Sequence, residues 1–77
     1  MSIRVRYFAS LREHVGRSVD ELLLEQPLSV RDAWQRLNPN LPMPETILAA
    51  VDMEYVSLET LIAEGSELAF FPPVTGG

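Results

Sequence analysis

The final stretch, Phe70-Phe71-Pro72-Pro73-Val74-Thr75-Gly76-Gly77, holds the strongest chemical signal in this 77-residue sequence. A diglycine at a terminus makes a thin thread that enters a narrow active site with no Cβ in the way. The Gly77 carboxylate is thereby the candidate reactive group. Frayed termini are also often glycine-rich, but here an apolar strand pattern passes through two prolines into the glycines with no polar spacer. The expectation is a folded domain over residues 1–71 that carries an extended functional tail over residues 72–77. Other chemistry is sparse. The sequence has no cysteine, which removes thiol nucleophiles, disulfides and thiolate metal sites. His14 has no partner at a recognisable catalytic spacing and reads as structural or solvated. The carboxylates are scattered, with no metal-ligand cluster, and no glycine-rich phosphate loop is present. Such a chain is expected to bind no cofactor and to catalyse little alone.

Size and charge narrow the setting. Seventy-seven residues make one small domain near the lower limit for a single core, and 47% of them are apolar. Eleven acidic and six basic residues leave a net charge of −5, which argues against a nucleic-acid partner and suits a basic protein surface. All six basic residues are arginine, so no side chain here can accept an isopeptide bond. Neither a signal-peptide stretch nor a membrane-spanning run is visible, and a cytoplasmic protein is expected.

These elements must position the tail. Ile3, Val5 and Tyr7 alternate with Arg4 and Arg6 as in a half-buried strand. A short helix is predicted from Ala9 to Val15 with Gly16 as its stop. A strand over Ser18 to Leu24 follows, its register left open between Val19/Glu21/Leu23 and Leu22/Leu24. Ser29 caps the main helix, with Asp32 three residues on and Val30, Ala33, Trp34 and Leu37 along one face. The proline-rich segment from Asn38 to Pro44 ends it. Ile47 to Val51 reads as a central strand, and Tyr55-Val56-Ser57 as a hairpin arm returning around Asp52-Met53-Glu54. Leu58, Leu61 and Ile62 are expected in a single helical turn. Gly65 introduces the last strand, Glu67 to Phe71. One amphipathic helix and several strands favour an α+β fold, a mixed sheet packed on one face against that helix.

Alternation has a further consequence. If Val5, Tyr7, Leu68 and Phe70 face the helix, then Phe8 and Phe71 project from the open face of the sheet, where Tyr55 is a further candidate. Aromatic residues gathered beside a reactive tail suit the apolar centre of a protein interface.

Three blocks carry a family resemblance: Val5-Arg6-Tyr7-Phe8-Ala9-Ser10-Leu11-Arg12-Glu13, then Leu48-Ala49-Ala50-Val51-Asp52-Met53-Glu54-Tyr55-Val56, then Gly65 through Gly77. Together they resemble the sulfur-carrier small subunits of molybdopterin synthase, within the ubiquitin-like family. The Phe-Phe-Pro-Pro approach to the diglycine is the most specific part, and it disfavours the related thiamine-pathway carriers, which lack it. The resemblance implies a ubiquitin-like β-grasp fold. It also implies that a ubiquitin-activating-like adenylyltransferase uses ATP to adenylate Gly77, and that a sulfur donor protein then converts the end to a thiocarboxylate. The tail would deliver that sulfur to cyclic pyranopterin monophosphate in the large synthase subunit, within a heterotetramer of two small and two large subunits. By the same resemblance Phe8, Tyr55 and Phe71 contact partners, Pro72 and Pro73 stiffen the tail base, and Val74, Thr75 and Gly76 lead Gly77 into the partner's active site. Asp52 stands where the family commonly has asparagine. A ubiquitin-like protein modifier is the alternative reading.

Overall fold

The computed structural model describes residues 2–73. Within them the first alternating segment forms β1 (Ser2–Tyr7), with Ile3, Val5 and Tyr7 buried and Arg4 and Arg6 exposed. The chain then turns into α1 (Ser10–Val15), which stops at Gly16. Gly16 adopts φ 88°, a conformation that a Cβ disfavours, and its N–H donates to the Arg12 carbonyl at 2.9 Å to close the last turn.

β2 (Val19–Leu23) pairs antiparallel with β1, placing Leu22 opposite Ile3 and Asp20 opposite Val5. The open question of register is thereby answered. Leu22 and Leu24 are buried, whereas Val19 and Leu23 lie outside. Asp20 shares the inward side but sits near its edge, where its carboxylate accepts from Arg17 Nε at 2.8 Å.

β3 (Leu28–Ser29) leads into α2 (Val30–Leu37). The expected cap is present: Ser29 Oγ accepts the Asp32 N–H at 3.1 Å. The Val30 and Arg31 N–H groups donate to the carbonyls of Thr60 and Leu58 at 3.0 and 2.9 Å. All three first-turn donors therefore have acceptors. This explains a correction to the reading of residues 58–62. Leu58, Leu61 and Ile62 have helical spacing, yet the polypeptide instead makes a Ser57–Thr60 turn and then β6 (Leu61–Ile62), paired antiparallel with β3. Carbonyls spent on the start of α2 cannot also serve a local helix.

β4 (Leu48–Val51) and β5 (Glu54–Val56) form a hairpin. Its turn is the two residues Asp52 and Met53, at φ 48° and 72°, and not the three expected. Positive φ at both central positions is the mark of a type I′ turn, whose twist matches that of the flanking strands. Glu54 thus begins β5, opposite Val51.

β7 (Glu67–Phe71) completes a five-stranded mixed sheet of order β2-β1-β7-β4-β5, in which β1 and β7 run parallel and the other pairs antiparallel. One face packs on α2. Trp34 meets Phe70 edge-on at 5.1 Å and Tyr7 at 6.0 Å, while Tyr7 and Phe70 stack at 5.9 Å. This sheet clasping one main helix is the α+β, ubiquitin-like β-grasp that the resemblance implies.

Polar groups at the core's edge are also matched. Buried Asn38 donates to the Tyr7 hydroxyl at 3.2 Å and accepts from Arg17 Nη2 at 2.6 Å, and Trp34 Nε1 donates to the Leu41 carbonyl at 2.8 Å. No buried side-chain polar atom among the described residues lacks a partner.

Phe70 is fully buried at the meeting point of the sheet and α2. Phe70→Ala is expected to cost about 3–5 kcal/mol through lost burial and an unfilled cavity. That is comparable with the entire stability of so small a domain, so urea titration followed by circular dichroism should find the variant largely unfolded.

Candidate functional site

The register that buries Tyr7 and Phe70 sends their neighbours outward. Tyr7 lies opposite Phe70 across the parallel β1–β7 pair, and the Phe8 N–H continues the ladder by donating to the Phe70 carbonyl at 3.1 Å. Phe8 and Phe71 consequently meet on the open face, stacked at 4.7 Å with their planes 6° apart. Ala9, at φ 53°, then turns the chain toward α1. Tyr55 arrives from β5, its ring 5.9 Å from Phe71 and 69% exposed. Phe8 and Phe71 are thus brought together as alternation suggests, and Tyr55, a further candidate there, joins them.

The same face shows features not anticipated from the sequence. Ala50 lies opposite both Ala69 on β7 and Tyr55 on β5. These two small side chains floor a shallow depression of about 260 Å³, walled by Phe8, Phe71, Tyr55 and Met53. Arg6 borders it, with its guanidinium 5.2 Å above the Phe8 ring and 3.9 Å from the Glu67 carboxylate. The exposed ion pair contributes little, but Arg6 gives the apolar patch a charged rim. Alternation places Ala69 on the face of Phe71, but it leaves Met53 in a turn and Ala50 in a strand of unassigned facing. Both alanines are largely buried, and the place of Ala50 on this face follows from the pairing of β4 with β7 and β5, which the sequence pattern alone leaves undetermined.

The tail begins where this patch ends. Pro72, directly after Phe71, is half-buried and Pro73 is exposed. Val74, Thr75, Gly76 and Gly77 lie outside the described residues, and with them the proposed reactive carboxylate. Elsewhere, His14 is exposed on α1. Among the described residues, no group of three or more histidine, aspartate or glutamate side chains is placed to hold a metal ion, and no helix is long and apolar enough to cross a membrane. What these residues offer chemically is a surface for recognition beside the root of the tail.

Comparison with known proteins places this arrangement. Residues 5–77 match the ThiS family. The chain belongs to that family. Among relatives of this ThiS-family chain, the molybdopterin synthase sulfur carrier subunit of Escherichia coli is 39% identical, covering 97% of this chain and 99% of the relative. The protein of the same name from Haemophilus influenzae is 33% identical over the same shares. Among solved structures, SAMP1 of Haloferax volcanii, a small archaeal modifier protein, superposes with a TM-score of 0.80 at 27% identity, covering all of both chains. A Helicobacter pylori complex of subunits 1 and 2 of molybdopterin-converting factor contains a chain that matches with a TM-score of 0.63 and 20% identity, each chain fully covered. That last likeness concerns the fold.

Within this ThiS-family fold the outward aromatics should be cheap to remove. Phe71→Ala is expected to cost about 1 kcal/mol, well below the cost at Phe70, because the side chain is only half-buried. A double-mutant cycle with Phe8→Ala, read by denaturant unfolding, should give a coupling of about 1 kcal/mol from the stacked rings.

Proposed function

We propose that this chain is the sulfur-carrier small subunit of a molybdopterin synthase. The observation that carries the reading is the Phe8–Phe71–Tyr55 cluster at the root of a tail ending in diglycine. Relatives bearing the name of sulfur carrier subunit cover nearly the whole chain and support it. The face docks on a large subunit that holds the active site, and the tail reaches into it. The resemblance implies a heterotetramer of two small and two large subunits, and the two sulfurs of a dithiolene would arrive on two carriers.

The carrier step needs activation. A carboxylate is a poor electrophile, so an adenylyltransferase joins Gly77 to AMP from ATP with release of pyrophosphate. Hydrosulfide released by a donor protein then attacks the carbonyl and AMP departs, leaving a thiocarboxylate. ATP belongs to the activating enzyme, and this chain holds no cofactor of its own. The thiocarboxylate sulfur next displaces an oxygen leaving group from a carbon of cyclic pyranopterin monophosphate to give a thioester, and hydrolysis of its acyl–sulfur bond leaves the sulfur on the pterin and returns Gly77 to a carboxylate. Such a carrier works in the cytoplasm with its partners.

A second reading is attachment to other proteins as a ubiquitin-like modifier, favoured by the likeness to a small archaeal modifier protein. Covalent adducts of this chain recovered from cells would support it, whereas a pure carrier forms none. Carriage for another pathway, such as thiamine synthesis, is disfavoured by the Phe-Phe-Pro-Pro approach.

Deleting Gly77, or replacing Gly76 with valine, should abolish dithiolene formation in a reconstituted synthase while the thermal midpoint stays unchanged. Retained dithiolene formation by the Gly77-deleted chain overturns the proposal. Intact mass of protein purified from its source should show a species heavier by the difference between sulfur and oxygen.

A further inference from the structure

We propose that Met53 is a docking residue, forming one wall of a socket over Ala50 and Ala69 that receives an apolar side chain of the large subunit. The inference rests on the carrier reading above and extends it to a contact outside the aromatic cluster. Met53 occupies the second central position of the β4–β5 turn at φ 72°. Glycine is the preferred residue there, and a side chain with a Cβ is strained. Nothing within the chain offsets that strain through burial, because Met53 is 94% exposed. An apolar side chain kept in a strained turn without internal packing has its use outside the chain.

The turn holds Met53 in place for such a use. The Asp52 N–H donates to the Glu67 carbonyl at 2.9 Å, and Asp52 Oδ1 accepts the Glu67 N–H at 2.9 Å, so the hairpin tip is tied to the start of β7. From this anchored position Met53 lines the same depression as Phe8, Tyr55 and Phe71. The alanine floor leaves room for an incoming side chain. The flexible thioether of methionine can then adjust to whatever enters.

Covalent reach identifies the occupant. Four residues, Val74 to Gly77, follow Pro73, and fully extended they span at most about 14 Å. A partner that takes Gly77 into its active site must therefore lie against this end of the open face. A second copy of this chain meets no such requirement, whereas the activating enzyme and the large subunit both do; of these the large subunit, which receives the sulfur, is the occupant proposed.

Calorimetric titration of the whole chain with the purified large subunit of the same organism tests this. Met53→Gly should raise the thermal midpoint by about 4 °C as the strained turn relaxes, and it should bind about five- to tenfold more weakly. Met53→Asn, which also tolerates positive φ, should show the same weakening, and Met53→Leu should bind nearly as the natural chain does. Phe71→Ala serves as the reference and should weaken binding more than either. If Met53→Gly and Met53→Asn bind normally while Phe71→Ala does not, the role of Met53 is overturned and the carrier docking face stands. If Phe71→Ala also binds normally, the docking reading itself fails. A Met53→Gly chain no more stable than the natural one removes the strain on which the inference is built.

Discussion

The parallel pairing of β1 with β7 sets both faces of this molecule at once. Tyr7 and Phe8 are consecutive, as are Phe70 and Phe71, and side chains on a strand alternate between faces. Tyr7 opposite Phe70 turns one pair toward Trp34 and leaves the other pair stacked in solvent. A slip of one residue would exchange the two sets. It would bring Ala69 to the core in place of Phe70 and forfeit the packing that seats α2. The core thus holds the aromatic face in register, and the face needs no scaffold of its own.

How legible each part is from sequence follows the range of the forces that fix it. Strand alternation in β1 and β7, the Ser29 cap and the Gly16 stop depend on neighbours a few residues away, and all are readable. The Ser18–Leu24 region carries apolar residues in both phases, and its register is settled only by pairing with β1. β3 and β6 are two residues each and exist because the first N–H groups of α2 draw on the Leu58 and Thr60 carbonyls. No pattern in the Leu58–Ile62 stretch announces that demand. At the candidate site, Phe8 and Phe71 are legible because consecutive aromatics on a strand must part. Ala69 shares the face of Phe71 by the same alternation, whereas Ala50 is not legible, since its position depends on how β4 pairs with β7 and β5.

Asp52 stands where the resemblance implies asparagine, and its contact with Glu67 shows what either residue can do there. Asparagine and aspartate both tolerate positive φ, and both present an Oδ1 that can accept the Glu67 N–H. Aspartate gives up only the amide donor, which this contact does not use. The substitution therefore keeps the tie between hairpin and β7 while adding negative charge beside Glu67 and Glu54.

Affinity and chemistry are best separated in a carrier of this kind. Ordering the four residues after Pro73 inside a partner costs about 1–2 kcal/mol of backbone entropy each, and two of the four are glycines, which lose the most freedom and bring no side-chain contacts. The tail alone is therefore a poor ligand. The apolar face must supply the free energy that draws it in, at about 25 cal/mol for each square ångström removed from water. Pro72 and Pro73 reduce the cost by limiting the freedom of the segment that joins face to tail. In the proposed mechanism the oxygen-to-sulfur exchange takes place at the far end of this thread, where it would alter little of the surface that provides binding. The loaded and spent forms should then bind a partner with similar strength, and exchange between them depends on a face weak enough to let go. A moderate patch with a socket and a charged rim meets that condition better than a large apolar interface.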